Sequence, residues 1–363
     1  MSDSSITVRS FAKINLGLKI GRLRPDGFHE LRTVYQTIAL HDVVRVEVQP
    51  GSGIEIRCND PRVPLDKSNT CYKVAERVLK AIPQGLKPIS QKSVHGTAEG
   101  VPFQSRDRGA AGSGKVIVQI EKRLPVQGGL GAASSNGVAT MLGLERVLGF
   151  TFAVEEKLRI AAEVGSDLPL FLIGGTVLGV GRGEDVLPLP DLPPLHLVVV
   201  TPPVGVSTPA AFARWDEIAE RDTELTRPGA AGTIKKLGQS VHDWPSESIF
   251  SQVVSASEPA SGVPAVGGDR AETPLLDLVR AGIENDFERV VFPEYPELRE
   301  VKRVLEGEGA RWASLSGSGS TLYGSFVSAE EAQTAAEHMR VAGHAAVATT
   351  TLTRDEYWQQ MFA

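Results

Sequence analysis

The sequence predicts a two-domain protein in which α-helices cover β-sheets. The chain has 363 residues, which is longer than one ordinary hydrophobic core usually supports. Its N-terminal half opens with strands of period two, and its C-terminal half alternates strands with helices, as layered α/β domains do. Prolines at positions 188, 190, 193 and 194 suggest a linker. We therefore expect an N-terminal domain over residues 1–190 and a C-terminal domain over residues 191–363.

The N-terminal half begins with the strongest strand signal. Even-numbered positions from 6 to 20 are mostly apolar and odd-numbered ones are mostly polar, which predicts a half-buried strand. A turn at 24–27 contains Pro25 and Gly27, residues that suit turn geometry. Further strands are expected at about 31–40, 44–48 and 54–56, followed by a helix over 69–81.

The rest of this half is punctuated by glycine. Residues 83–114 are poor in large apolar side chains and predict a long surface loop. A strand at 116–121 leads through a glycine-rich loop into a helix that ends near Leu148, before Gly149. A helix near 153–163 and a glycine-rich strand region at 174–183 follow.

The C-terminal half alternates in type. We expect strands at 195–201, 311–316, 320–327 and 345–353, and helices from 208 and near 275–290, 294–308 and 329–342. Residues 251–274 are rich in Ser, Ala, Pro and Gly and predict a second long loop.

Composition limits the classes of function. Hydrophobic residues make up 41% and charged residues 23% of the chain, which is typical of a globular protein. The net charge of −6 argues against nucleic-acid binding, which needs a basic surface, but it leaves room for a local site for a small anion.

Cysteine usage and the lack of apolar runs bear on the compartment. Cys58 and Cys71 are the only cysteines and form no CxxC, so a disulfide framework and a zinc ribbon are both excluded. One disulfide between them stays open, although a reduced chain is the better expectation. No apolar run approaches the ~18 residues of a membrane span, and the first ten residues do not resemble a signal peptide. We expect a cytoplasmic protein without a membrane partner.

The clearest candidate for a ligand site is the loop at residues 128–136, which lies between a predicted strand and a predicted helix. Its glycines allow close approach of the backbone, and the helix N-terminus offers unpaired amides to an anion. Ser134 and Ser135 can cap the helix, bind phosphate or reach Mg²⁺. The alternative is an ordinary tight turn with a serine N-cap.

A second glycine-rich loop at 315–321 connects two predicted strands. On its own it can be a simple hairpin, but two such loops together favour an anion site. By contrast, residues 109–115 match the first seven positions of a P-loop only superficially, because Val116 replaces the required Ser or Thr and a strand follows. The chain also lacks a true GxGxxG, which argues against a dinucleotide fold.

Three polar residues are candidates for chemistry. Asp167 lies among apolar neighbours, where a carboxylate needs a partner unless it is simply a helix cap. Lys13 on the first strand is a candidate partner, although a solvated surface lysine is the ordinary alternative. Phe28 next to His29 can stack on and hydrogen-bond a planar base, or the pair can belong to an ordinary hairpin.

In chain order these segments resemble the GHMP kinase superfamily, which includes galactokinase, homoserine kinase and mevalonate kinase. Residues 125–135 are similar to its central loop, P-x-x-x-G-L-G-S-S-A, and residues 316–319 to its C-terminal glycine loop. The resemblance implies an α+β fold: an N-terminal domain like the second domain of ribosomal protein S5 and a C-terminal ferredoxin-like α/β sandwich.

Segments 12–16, 24–29, 165–169 and 174–184 look like one branch of the superfamily. That branch phosphorylates the 2-hydroxyl of a cytidylyl diphosphate of methylerythritol, in the non-mevalonate route to isoprenoid precursors. The resemblance implies an ATP-dependent kinase that uses Mg²⁺ and acts as a monomer or homodimer. The alternatives are another small-alcohol kinase, of the mevalonate or homoserine type, and a non-catalytic nucleotide-binding regulator.

The resemblance also implies residue roles. Asp167 would be the general base, and Lys13 would keep it ionised and stabilise the transferring phosphoryl group. ATP would be bound by Gly128, Gly129, Leu130, Gly131, Ala132, Ala133, Ser134, Ser135, Ser316, Gly317, Ser318 and Gly319, with Ser135 as a candidate metal ligand. The cytidylyl substrate would be bound by Asn15, Phe28, His29, Pro209 and Phe212, with Phe28 and Phe212 on opposite faces of the cytosine.

Three positions depart from this pattern. Phe28 stands where the family often has Tyr, Ser166 where Ala is common, and Gln127 where a small residue is usual. Phe28 keeps an aromatic face but lacks a hydroxyl, and Gln127 alters the expected wall of the ATP pocket.

Overall fold

The structure of the chain, a computed structural model, describes residues 5–82, 114–221 and 284–362. Most of the predicted loop 83–114, the P-loop-like segment up to residue 113 and the loop 251–274 lie outside these ranges. The predicted helix 275–290 is described only from residue 284 onward. None of the helices within the described ranges is long and apolar enough to cross a membrane.

The N-terminal half forms a six-stranded sheet with helices packed against it. The strands run in the order β3-β4-β2-β5-β6, with β1 paired to β2, and only β3 and β4 pair in parallel. Their bounds are β1 Ser5–Leu23, β2 His29–Gln49, β3 Ile54–Cys58, β4 Lys115–Glu121, β5 Thr176–Val180 and β6 Asp185–Pro188. The helices are α1 Thr70–Ala81, α2 Ala132–Leu148, α3 Val154–Val164 and α4 Leu168–Phe171.

The C-terminal half forms a four-stranded antiparallel sheet in the order β10-β7-β9-β8. Its strands are β7 His196–Val200, β8 Trp312–Leu315, β9 Leu322–Phe326 and β10 Ala346–Thr350. The described helices are α5 Thr208–Arg221, α6 Glu288–Glu294, α7 Pro296–Gly307, α8 Ala329–Val341 and α9 Arg354–Met361. Both sheets contribute to one shared apolar cluster, in which Ile14 and Leu16 of β1 are grouped with Leu197, Val199 and Tyr323.

The first strand is buried more completely than its alternation predicts. All residues from Ser10 to Leu18 are buried, because the second sheet covers one face of β1 and the helical layer covers the other. A register shift interrupts the pairing of β1 with β2 between Phe11 and Ala12. The prediction of a half-buried strand is therefore wrong over its middle, where Lys13 and Asn15 face an internal polar site.

Several further elements differ from the predictions. Helix α4 and strand β6 were not expected, and residues 284–287 of the predicted helix 275–290 are not helical. The strands expected at 31–40 and 44–48 are one continuous strand, β2, which pairs with β1 along most of its length. Helix α9 was not predicted, although Thr353 and Glu356 form a capping box, which is typical of a helix N-terminus. This helix returns to the first core, where the Tyr357 hydroxyl donates to the Phe171 carbonyl at 2.7 Å.

Candidate active site

The two glycine loops predicted from the sequence lie against each other. Gly129 has φ +80, and a Cβ there would collide with the carbonyl oxygen of Ser316. The Ser316 hydroxyl donates to the Gly129 carbonyl at 3.0 Å, and the Thr321 amide donates to the Gly128 carbonyl at 3.2 Å. A Cβ on Gly319 would be 2.5 Å from the Gly129 nitrogen. Only glycine permits this approach, so the two loops form one continuous backbone surface.

The first glycine loop leads directly into the N-terminus of α2. The N-cap residue is Gly131 at φ +68, which has no side chain to bind the first amides, so the alternative of a serine N-cap is wrong. A Cβ on Gly131 would lie 2.9 Å from the Phe171 ring and 3.1 Å from Cγ of Lys13. Leu130 is buried and accepts a hydrogen bond from the Lys13 amide at 3.0 Å. The open helix end therefore lies beside Lys13, where an anion benefits from both.

A cleft of about 350 Å³ opens where the two loops face the start of α5. It is lined by Gln127, Gly129, Gly205, Val206, Ser207, Thr208, Pro209, Ser318 and Gly319. The Thr208 and Ser318 hydroxyls are 2.7 Å apart and link α5 to the second loop. Residues 205–208 were missed by the sequence reasoning, since nothing in their local pattern distinguishes them from a turn. Gln127, at φ +62, also lines the cleft. It is larger than the small residue that the family pattern has at this position.

Lys13 and Asp167 are brought together as the sequence suggested. The Lys13 ammonium lies 3.6 Å from Oδ2 of Asp167 and donates to Oδ1 of Asn15 at 2.7 Å. Lys13 is only 3% exposed, so the alternative of a solvated surface lysine is wrong. Burial lowers the pKa of Lys13, and the charge of Asp167 opposes that shift. The result is a desolvated cation next to a carboxylate that stays partly open to solvent.

The second glycine loop reaches the same pair. A Cβ on Gly317 would lie 3.5 Å from both the Lys13 ammonium and Oδ1 of Asn15. Asn15 in turn donates to the Thr33 hydroxyl at 2.7 Å, which fixes its amide. The two glycine loops and the Lys13–Asp167 pair therefore lie in one site. Thr33 was missed, because an isolated threonine in a strand carries no signal.

Ser135 does not face this site. Its hydroxyl is 2.7 Å from the Ser10 hydroxyl inside the first domain, and the residue is buried. The suggestion that Ser135 is a metal ligand therefore stays a prediction, at a hydroxyl that is paired with Ser10 in this structure. Ser134 is half-buried on the first turn of α2. No group of three or more His, Cys, Asp or Glu side chains suited to a metal ion occurs within 5–82, 114–221 and 284–362.

The residues expected to bind a base are arranged differently from the prediction. The His29 ring stacks on Phe212 with centroids 4.9 Å apart, and its Nε2 is 2.7 Å from a carboxylate oxygen of Asp216. Phe28 is 52% exposed, with the Arg182 guanidinium 4.9 Å from its ring. Because His29 covers one face of Phe212, a base can contact that face only if His29 moves. Asp216 and Arg182 were missed.

Asp42, a buried carboxylate that was not predicted from the sequence, binds the segment that precedes the first glycine loop. Asp42 accepts hydrogen bonds from the Lys122 ammonium at 2.8 Å and from the amides of Arg123 and Leu124 at 2.7 Å each. It also accepts from the Asn136 side chain at 3.0 Å. These bonds join the middle of β2 to the segment after β4 and to helix α2, and so fix the loop between β4 and α2.

Comparisons with known proteins define the class. The family model described as "GHMP kinases N terminal domain" matches residues 69–175, and the one described as "GHMP kinases C terminal" matches residues 272–344. A solved homoserine kinase from Cytophaga hutchinsonii aligns with a TM-score of 0.62 over 97% of this chain and 96% of its own, at 17% identity, and so shows the fold. The predicted two-domain GHMP kinase fold is confirmed, and the chain is an ATP-dependent kinase by class.

More similar relatives narrow the family. The 4-diphosphocytidyl-2-C-methyl-D-erythritol kinase of Synechococcus elongatus is 32% identical over 93% of this chain and 91% of its own length. The protein of the same name from Solibacter usitatus is 32% identical over 88% of this chain and 80% of its own. A crystal structure of 4-(cytidine 5'-diphospho)-2C-methyl-D-erythritol kinase aligns with a TM-score of 0.64 at 26% identity, covering 95% of this chain and 99% of the other. The chain belongs to the 4-diphosphocytidyl-2-C-methyl-D-erythritol kinase family.

Proposed function

We propose that this protein transfers the γ-phosphoryl group of ATP to the 2-hydroxyl of 4-diphosphocytidyl-2-C-methyl-D-erythritol, giving the 2-phosphate and ADP. The observation that carries the proposal is the Lys13–Asp167 pair, 3.6 Å apart, beside the open N-terminus of α2 and both glycine loops. The names of the relatives support the substrate and its place in the non-mevalonate isoprenoid pathway.

The chemistry asks mainly for positioning and charge stabilisation. In phosphoryl transfer the attacking and leaving oxygens must be aligned and the charge on the phosphoryl oxygens must be stabilised. The amides of the first glycine loop and of the first turn of α2 would bind the ATP phosphates. Lys13, fixed by Asn15 at 2.7 Å, would stabilise the charge that develops during transfer.

Asp167 would accept the proton of the attacking hydroxyl. About one third of its side chain is exposed, so a substrate can reach it, whereas Lys13 beside it is buried. The Lys13 ammonium, 3.6 Å away, pairs with this carboxylate, and a carboxylate is the form that a general base needs.

The cytidylyl end of the substrate would lie near Phe28 and His29. Phe28 presents a largely exposed ring, and the His29 ring can bind the polar edge of the base. Asn15, Pro209 and Phe212 complete the proposed substrate contacts. Phe212 would contact the base through the face that His29 does not cover, or through the covered face if His29 moves.

The residues that line the cleft are compatible with a Mg²⁺ ion that enters bound to the ATP phosphates. Their polar groups are mostly hydroxyls and amides, and Mg²⁺ usually keeps several waters and binds through phosphates with few protein ligands. Ser134 would hold the ion together with the phosphates, and the ion would neutralise phosphate charge. We further propose a cytoplasmic monomer or homodimer without nucleic-acid or membrane partners, in keeping with the net charge of −6.

Release of ADP by the purified protein, measured with each candidate alcohol, tests the substrate. We expect turnover with the cytidylyl substrate and none with mevalonate or homoserine. Turnover only with one of the latter two would contradict the proposal. Binding of ATP without transfer to any of these alcohols would favour a non-catalytic regulator instead.

Asp167→Asn tests the general base. We expect kcat to fall by about 10²- to 10⁴-fold, the usual contribution of a positioned base, while the Kd for ATP stays nearly unchanged. Asp355→Asn, at an exposed carboxylate on helix α9, is the matched control and should keep normal turnover. An unchanged kcat in Asp167→Asn would show that Asp167 is not the base.

A further inference from the structure

A buried tyrosine binds the carboxylate proposed as the base. Tyr35 on β2 is 3% exposed, and its hydroxyl donates to Oδ1 of Asp167 at 3.2 Å. The Lys13 ammonium approaches the other oxygen, Oδ2, at 3.6 Å. The two carboxylate oxygens are therefore shared between a phenol and an ammonium from neighbouring strands.

The glycine-rich segment 179–183, which the phosphate-binding loops do not use, makes room for this tyrosine. A Cβ on Gly179 would be 2.5 Å from Cε2 of Tyr35, and a Cβ on Gly183 would be 2.6 Å from its hydroxyl oxygen. Both distances are far below van der Waals contact, so any larger residue would displace the ring or the hydroxyl. These two glycines form a slot that holds the phenol in one place.

Burial and nearby negative charges keep the Tyr35 phenol protonated, so its hydroxyl stays a hydrogen-bond donor. Burial, followed by the charge of Asp167, raises the pKa of the Tyr35 phenol well above its usual value. Glu184 adds to this shift from the turn after β5, and it is itself paired with Arg182 at 2.7 Å. In the described residues, Lys13 from β1 and Tyr35 from β2 contact Asp167, while Glu184 acts on Tyr35.

We propose that Tyr35 is a positioning residue for phosphoryl transfer: its hydroxyl orients Asp167 and holds the carboxylate in the ionised, proton-accepting form. The inference rests on the proposed role of Asp167 as general base. A carboxylate offers about four lone-pair sites, so the hydrogen bond from Tyr35 and the contact with Lys13 still leave sites for the substrate hydroxyl. A hydrogen bond donated to the charged form of an acid favours that form.

Tyr35→Phe keeps the ring in its slot and removes the donor. A carboxylate that loses a hydrogen-bond donor is protonated more easily, so the acid limb of the kcat–pH profile should move to higher pH. We expect kcat at neutral pH to fall about tenfold, as for loss of one hydrogen bond to a charged group, with the KM for ATP unchanged.

Tyr357→Phe is the matched control. It also removes one buried tyrosine hydroxyl, which donates to the Phe171 carbonyl and to no carboxylate, so its acid limb should stay at the wild-type pH. Gly183→Ala crowds the Tyr35 hydroxyl without removing it, and its acid limb should move in the same direction as that of Tyr35→Phe. Thermal unfolding establishes that each variant is folded.

Wild-type acid limbs in folded Tyr35→Phe and Gly183→Ala, or a loss of kcat without any pH shift, would overturn the role of Tyr35. Asp167→Asn separates the two proposals. If that variant keeps its kcat, the general base is wrong and the role of Tyr35 falls with it. If Asp167→Asn loses activity while Tyr35→Phe keeps the wild-type profile, only the role of Tyr35 is wrong.

Discussion

At the scale of single residues, the site depends on a lysine placed where a charge is costly. Burying an ammonium without compensation costs several kcal/mol, and at Lys13 the compensation comes from Asp167 and the Asn15 amide. The same burial makes the charge effective, because a desolvated cation interacts more strongly with a phosphoryl group than a solvated one does. Lys13 therefore belongs to the site rather than to the core.

Phe28 offers a prediction at this scale. Because its ring is 52% exposed, Phe28→Ala should leave the unfolding free energy almost unchanged. A base stacked on an aromatic ring gains about 1–3 kcal/mol, so KM for the cytidylyl substrate should rise about 5- to 150-fold while KM for ATP stays the same. Steady-state kinetics with each substrate varied in turn measures both values.

Phe28→Tyr is the control for this change, since it keeps the aromatic face and adds only a hydroxyl. It should retain the wild-type KM. Equal increases of KM for ATP and for the cytidylyl substrate in Phe28→Ala would contradict a stacking role.

At the scale of elements, the proposed ATP-binding surface is made by two loops that pack directly against each other. Gly129 accepts the Ser316 hydroxyl at its carbonyl across 187 residues of sequence. Each loop alone has the composition of an ordinary turn, and their contact aligns the backbone of both toward the N-terminus of α2.

Gly129→Ala should break this arrangement. A Cβ at φ +80 would collide with the Ser316 carbonyl oxygen, so backbone strain and overpacking together should cost about 2–5 kcal/mol of unfolding free energy. ATP affinity should fall at least tenfold as the loops separate. Urea unfolding and ATP titration measure the two effects.

Gly149→Ala provides the comparison. Gly149 ends α2 at φ +69, but a Cβ there meets no atom within 4 Å, so only the strain of about 1–2 kcal/mol is expected, with normal ATP affinity. If both variants bind ATP equally well, contact between the two loops is not needed for nucleotide binding.

At the scale of the whole molecule, the end of the chain stabilises its beginning. Helix α9 follows the last strand of the second sheet, yet Tyr357 and Met361 lie in the core of the first. The Tyr357 hydroxyl and the Trp358 indole bind the carbonyls of Phe171 and Ile173, just after the segment that carries Asp167. The proposed boundary at residue 191 therefore divides the sequence, while the first core also includes residues from its end.

Tyr357→Ala should accordingly destabilise the protein by about 3–5 kcal/mol, as for other large buried aromatic residues. Val341→Ala, at a position 90% exposed on α8, should change the unfolding free energy by no more than about 0.5 kcal/mol. Denaturant unfolding followed by far-UV circular dichroism tests both. A small effect of Tyr357→Ala would mean that α9 is not part of the cooperative core.

The sequence by itself determined the features that depend on neighbouring residues. Strand alternation, helix limits such as Gly149 and the positive φ angles of the glycine loops follow from local sterics and periodicity, and the motif order gave the kinase class. The pairing of Lys13 with Asp167 could be proposed from their chemistry.

Only the tertiary structure decided what lies in contact across the chain. It buried Lys13 against the start of α2 and Gly317, paired Ser135 with Ser10 away from the cleft, stacked His29 on Phe212 and placed Tyr35 against Asp167. The last three of these contacts join residues that are 125 to 183 positions apart in the sequence. Periodicity carries no information about such contacts, because packing of the two sheets and the helices, rather than local geometry, selects which side chains share a site.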